Sequence, residues 1–143
     1  MNFTELPLSS AIQKALVDKK YTQATPIQKQ AIPLVLDGHD VLGCAQTGTG
    51  KTAAFAIPLL AGMESEGVSK KISCLVLTPT RELAIQIGES FTDYGKYLGI
   101  RNTVIFGGVN QSPQVRAIKS RPEVLIATPG RLLDLIGQGL LSL

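Results

Sequence analysis

Four short apolar runs, at residues 40–45, 72–78, 102–106 and 123–127, alternate with amphipathic helical patterns, and each run is followed by a turn and then a helix. A parallel sheet with helices on its faces satisfies this order, because parallel neighbours need a crossover and that crossover is usually a helix. The runs are nearly continuous in apolar residues, as strands buried on both faces should be. The expected class is therefore α/β. The 143 residues contain no internal repeat, low-complexity tract or dividing linker, so one domain, or most of one, is expected over 1–143.

The helical pattern after the second run is the clearest. Leu83, Ile87, Phe91, Tyr94 and Leu98 fall three or four apart and predict one face that packs on the sheet. Ahead of the first run, Leu8, Ile12, Ala15 and Leu16 predict one short helix. Residues 26–36 predict another, stopped at Gly38 in the left-handed conformation that glycine favours. Residues 61–71, with Gly62, Gly67 and several serine, glutamate and lysine residues, read as an exposed connection.

Composition narrows the class without naming a chemistry. Hydrophobic residues at 44% and charged residues at 17% match soluble globular proteins, and no apolar run approaches the roughly 20 residues of a membrane span. The opening MNFTELPLSS has no basic region followed by an apolar stretch, so a cytoplasmic location is expected. The net charge of +3 is spread without a dense cluster and does not by itself mark a nucleic-acid binder. Cys44 and Cys74 each fall inside an apolar run and read as small buried hydrophobes, not as a disulfide or metal site. His39, alone in a Gly-His-Asp turn, reads as turn surface.

Chemistry enters with AQTGTGKT, formed by Ala45, Gln46, Thr47, Gly48, Thr49, Gly50, Lys51 and Thr52. It follows an expected strand and opens an expected helix, the context of a phosphate-binding loop. Gly48 and Gly50 let the backbone curl so that N–H groups point at phosphate oxygens, and the helix N-terminus adds partial positive charge. Lys51 supplies a full charge near the β- and γ-phosphates, and the Thr52 hydroxyl suits magnesium. The general pattern begins with glycine, where this chain has Ala45.

Upstream lies YTQATPIQKQAIP, with Tyr21, Thr25, Pro26, Ile27, Gln28 and, farther back, Phe3. Two readings of Gln28 are open from this segment alone. Thr25 at an N-cap, Pro26 first in the helix and Gln28 third would form a capping box. Alternatively, a glutamine amide pairs bidentately with the N6 donor and N7 acceptor of adenine while an aromatic ring covers the base. Together with the phosphate loop, the segment resembles the Q motif of the DEAD-box RNA helicases, about residues 3–28, and the adenine reading follows from that resemblance. The family has glycine before the aromatic residue, where this chain has Lys20.

Three further segments resemble the family's RNA-facing motifs in order: PTRELA with Pro79, Thr80 and Arg81; the Gly107–Gly108 pair; and TPGR with Thr128, Pro129, Gly130 and Arg131. Each follows an expected strand, and open α/β sheets bind ligands beyond the C-terminal strand ends. Their hydroxyls, helix-start N–H groups and guanidinium groups suit phosphate and ribose contact without reading sequence. Singly, each also reads as a local turn or helix cap.

The resemblance implies a RecA-like domain that stops before the Asp-Glu-Ala-Asp strand, binding ATP or ADP with Mg2+, and in the full protein RNA and a second RecA-like domain. It also implies that the acids which position magnesium and water lie outside this stretch, so the chain alone should bind nucleotide without hydrolysing it. Two other classes remain alongside: a different P-loop enzyme such as a GTPase, and a non-catalytic module that binds RNA or protein. Missing neighbours of the strand at 40–45 would leave it with an open side, so self-association of the chain is a further expectation.

Overall fold

A computed structural model describes residues 1–46, 48, 50–67 and 69–143. The elements in order are a short 3-10 turn Phe3–Glu5, α1 Ser10–Asp18, α2 Pro26–Leu36, α3 Lys51–Glu66, β1 Cys74–Leu77, α4 Arg81–Tyr94, β2 Asn102–Ile105, α5 Ser112–Lys119, β3 Val124–Ala127 and α6 Pro129–Gly137. They gather into two compact units, one of Met1–Gly67 with Ser90–Gly99 and one of Val68–Glu89 with Ile100–Leu143.

The second unit holds the parallel sheet, in the order β1-β3-β2, with Leu77 and Ile105 both in register with Ala127. Buried throughout, β3 has the two-faced burial its apolar run predicts. On one face Leu125 and Ala127 pack with Ile105, Ile118 of α5, and Leu132 and Leu135 of α6. On the other, α4 comes so close that a Cβ on Gly88 would lie 2.6 Å from Val104 Cγ2 and 3.7 Å from Ile126 Cδ1. Successive strand residues thus serve opposite faces, as a period of two requires. As an edge strand, β1 departs from the expectation of burial on both faces: Leu75 and Leu77 are exposed.

The first unit is helical. Ile12, Ala15 and Leu16 of α1 and Ile32 of α2 enter its core with Ala53, Ala56, Ile57 and Leu60 of α3. Phe91 and Tyr94, in the last turn of α4, belong here, and Phe91 packs on Phe55 with ring centroids 6.3 Å apart. The face expected to lie wholly on the sheet is therefore divided. Gly88 meets strands, whereas Phe91 meets a helix. Ala84, Ile87, Phe91 and Tyr94 are buried, while Leu83 sits a hundred-degree step away from Ala84 and is exposed. Leu98 falls beyond the helix end at Tyr94.

Three expectations are corrected. Residues 61–66 continue α3 instead of forming a connection, because Met63 follows Leu60 by three positions and is buried on the same stripe. Residues 40–45 form no strand, since a strand exists only through its ladder and this segment pairs with none among the described residues. Cys44, carried by that segment, is consequently exposed, while Cys74 in β1 is buried.

The two thiols should therefore separate in solution. Burial pushes the Cys74 thiol from its ordinary value near 9 up to about 11. A thiol reagent near pH 8 is expected to modify Cys44 quickly and Cys74 only after unfolding. Because the folded value is raised, the stabilising contribution of neutral Cys74 is complete below about pH 9 and is lost as pH climbs through about 11. A pH series of denaturant midpoints in which Cys74→Ala flattens that alkaline fall checks the assignment.

Candidate functional site

In the first unit, the N-terminal strip and the segment after α1 are tied by an isolated antiparallel bridge between Asn2 and Gln23. Phe3 N–H donates to Thr22 O at 3.1 Å and Ala24 N–H to Met1 O at 3.0 Å. Phe3 is buried and its ring lies 6.3 Å from that of Tyr21, with planes 18° apart. Tyr94 meets the same tyrosine at 6.0 Å. Phe3 thus backs Tyr21, whose ring is partly exposed. The turn leading into Tyr21 closes α1 through Lys20 N–H to Val17 O and Tyr21 N–H to Leu16 O, both 2.9 Å, with Lys20 at φ +61°. Lys20, standing where the resembled motif has glycine, thus takes the left-handed conformation at the usual cost for a residue with a Cβ.

Helix α2 starts where the cap chemistry predicts. Thr25 is the N-cap, Pro26 the first helical residue and Gln28 the third. Thr25 N–H donates to Gln28 Oε1 at 3.0 Å, although the buried Thr25 hydroxyl makes no hydrogen bond of normal geometry. Gln28 does a second thing as well: its Nε2 donates to Gly50 O at 3.2 Å. The capping contact and a link to Gly50, within the segment expected to bind phosphate, are both present, on opposite ends of one amide that is only 2% exposed.

Gly50 is the N-cap of α3, at φ +84° and ψ +30°, and Gly48 has φ +82°. Both sit in the left-handed region where glycine carries no Cβ penalty. Thr47 and Thr49 lie outside the described residues. Lys51 opens α3 and is exposed, with Thr52 next to it partly exposed. The leading N–H groups of this helix have no intrahelical acceptor, so its start is suited to anionic oxygens. A Cβ on Gly48 would project into open space, and a Cβ on Gly50 would run into Gln28; the residues present fit a nucleotide phosphate chain. Lys51 would meet its charge and Thr52 Oγ1 would reach a magnesium ion. Among the described residues no cluster of three or more histidine, cysteine or acidic side chains could hold a metal without the phosphates.

In the second unit the three remaining motifs stand together at the C-terminal ends of the parallel strands. Thr78 follows β1, Phe106 follows β2 and Thr128 follows β3, and the ladder extends through Thr78 N–H to Ala127 O at 3.0 Å and Thr128 N–H to Ile105 O at 3.1 Å. Pro79 and Thr80 are exposed, and Thr80 Oγ1 accepts from Leu83 N–H at 3.3 Å, so it also serves as the cap of α4. The Arg81 guanidinium lies 5.7 Å from the centroid of the Phe106 ring. Gly107 and Gly108 are exposed, Gly108 at φ +81°, with open space where a Cβ would project. Thr128 occupies the N-cap position of α6, without a side-chain capping bond, Pro129 takes its first position, and Gly130 is exposed.

Arg131 is the exception to a solvent-facing set. Its Nη1 donates to Gln114 Oε1 and its Nη2 to Val109 O, each at 2.9 Å, and its side chain is 10% exposed. Gln114, buried in α5, donates through Nε2 to Phe106 O at 3.1 Å. Gln114 belongs to none of the sequence motifs. The available signal was an uncharged polar residue four positions before Ile118, on the face of α5 that the sheet buries.

The family model for DEAD/DEAH box helicases matches residues 25–142. The chain is 46% identical over 138 residues to ATP-dependent RNA helicase CshA of Limosilactobacillus reuteri, covering 96% of this chain and 27% of that protein. It is 47% identical over 133 residues to ATP-dependent rRNA helicase RRP3 of Saccharomyces cerevisiae, covering 93% and 26%. Among solved structures, a DEAD box protein from Methanococcus jannaschii superposes with a TM-score of 0.91 at 39% identity, over 100% of this chain and 39% of that one. The chain thus spans about a quarter of the length of these curated relatives. No described helix is long and apolar enough to cross a membrane.

Proposed function

Because the chain belongs to the DEAD/DEAH box helicase family, we propose that it is the ATP-binding part of an RNA helicase whose full length couples ATP hydrolysis to RNA duplex unwinding. The first unit binds ATP or ADP and magnesium, and the strand ends of the second unit contact RNA backbone weakly and without regard to sequence. The acids and the second RecA-like domain that complete hydrolysis belong to the rest of the protein, so this chain alone holds nucleotide without turning it over. A cytoplasmic location accompanies this reading.

The observation that carries the proposal is the hydrogen bond from Gln28 to Gly50. A primary amide offers two donor hydrogens and two acceptor lone pairs. The protein uses one of each, on Gly50 O and Thr25 N–H. One donor and one acceptor remain, matching N7 and N6 of adenine, whereas guanine presents two acceptors on that edge. Since Gln28 is buried, reading the base includes a local opening around the amide. Bound ATP brings the γ-phosphate that is transferred to water in the complete protein. Lys51, the helix start and Thr52 hold the phosphate chain and its metal in place.

Displacement of a fluorescent ADP tests this. ADP and ATP should compete, GDP should compete about tenfold or more weakly given the roughly 1–3 kcal/mol of a bidentate base contact, and Lys51→Ala should abolish binding. Equal competition by GDP removes the role of Gln28. Normal binding by Lys51→Ala removes the phosphate-loop assignment. RNA-stimulated phosphate release above the Lys51→Ala background contradicts the expected inactivity of the chain alone.

A further inference from the structure

Gly107 and Gly108 are bracketed by two carbonyls, and both carbonyls are held from below. Phe106 O accepts from Gln114 Nε2 at 3.1 Å and Val109 O from Arg131 Nη2 at 2.9 Å, while Arg131 Nη1 returns to Gln114 Oε1 at 2.9 Å. Gln114 therefore sits at the closure of a clamp whose two arms grip either side of the glycine pair. Arg81 lies over the ring of Phe106, which brings the motif after β1 onto the same short loop. A glycine-rich turn with open space around it has large conformational freedom, and contacts to a phosphate backbone lose affinity when that freedom must be removed on binding.

We propose that Gln114 is a positioning residue for RNA, and that with Arg131 it fixes residues 106–109 so that Gly107 and Gly108 meet backbone phosphates already ordered. Arg131 then serves mainly by holding the loop, since its guanidinium is spent on protein acceptors. This rests on the reading of the strand ends as an RNA surface. A buried amide that joins two carbonyl-bearing segments restrains both, and leaving a buried donor or acceptor without its partner carries the full desolvation penalty.

The test compares Gln114→Met and Gln114→Glu with the unaltered chain, by anisotropy of a labelled oligouridine at low salt and by 15N relaxation of the Gly107 and Gly108 amides. Met keeps the side-chain length and removes both hydrogen bonds. Glu keeps an acceptor for Arg131 and loses the donor to Phe106 O. Gln114→Met should bind RNA about tenfold more weakly with raised nanosecond mobility at both glycines, and Gln114→Glu should fall between it and the unaltered chain on both readouts. A Gln114→Met chain that keeps its RNA affinity, or loses it with the glycines as rigid as before, overturns the proposal. Should Gln114→Met fail to melt cooperatively, Gln114→Glu decides by the same two readouts. An unaltered chain that binds no oligouridine overturns the RNA reading itself, which is a separate and recognisable failure.

Discussion

Gly50→Ala is expected to remove adenine-nucleotide binding, by about a hundredfold or more, and to lower the melting midpoint by about 10 °C. Gly50 stands at φ +84°, where a Cβ costs roughly 1–2 kcal/mol. An alanine Cβ there would also lie 2.3 Å from Gln28 Nε2 and 3.2 Å from Gln28 Cδ, with Thr25 Oγ1 at 3.3 Å. No pair of atoms tolerates the first distance, so the buried amide must leave, breaking its bonds to Gly50 O and Thr25 N–H. Two buried hydrogen bonds lost in this way add roughly 1–3 kcal/mol, and in a chain of this size each kcal/mol moves the midpoint by about 3 °C. Gly48→Ala is the matched control. Its φ of +82° is nearly the same, but a Cβ there meets nothing within 4 Å. It should carry the backbone cost alone and melt several degrees above Gly50→Ala. Equal midpoints for the two variants would show that the Gln28 contact contributes nothing.

The unaltered chain is expected to associate with itself at high concentration, and Leu42→Lys to weaken that association by about a hundredfold. Leu42 is 97% exposed, in a segment at 40–45 that joins no strand among the described residues. Separately, β1 pairs on one side only among the described residues, with Leu75 exposed and Leu77 at 55%. Apolar segments carrying unpaired N–H and C=O groups are templates for another chain. Burying a leucine contributes about 1.5–3 kcal/mol, and a two-fold contact counts it twice. The resulting 3–6 kcal/mol, roughly, exceeds the 2.8 or so that corresponds to a hundredfold. Sedimentation at several concentrations reads the outcome. A monomer throughout, melting above the range of about 45–65 °C common for mesophilic domains, would sink the idea.

Where the controlling chemistry is local, sequence and structure coincide closely. Helix α2 was expected at residues 26–36 and runs Pro26–Leu36, with Gly38 at φ +84°, because a cap residue, a proline and a glycine act within a turn of where they stand. Expectations for β1, β2 and β3 hold to within a residue or two at each end, since β3 must be apolar to be buried and its neighbours pair with it. The positive φ of Gly48 and Gly50 follows from the glycines themselves. The gathering of Thr80, Gly107 and Thr128 at one end of the sheet follows from the parallel order of the strands, since each stands just beyond a strand's C-terminal end.

Partnership across distance is a different matter. Residues 40–45 have the composition of a strand, but a strand is defined by its neighbours, and no local signal supplies them. Phe91 and Ile87 share one helical stripe, yet whether a stripe meets strands or another helix depends on what the chain has folded beside it. The sequence by itself determined the strand–turn–helix order from β1 onward, the caps of α2 and α4, the positive-φ glycines before α3 and the family. Only the tertiary structure decided that Gln28 caps one helix while donating to the loop before the next, and that Arg131 turns inward to Gln114 and Val109. A polar side chain takes its hydrogen-bond partners from whatever folding brings within about 3 Å, and burial makes those partners obligatory.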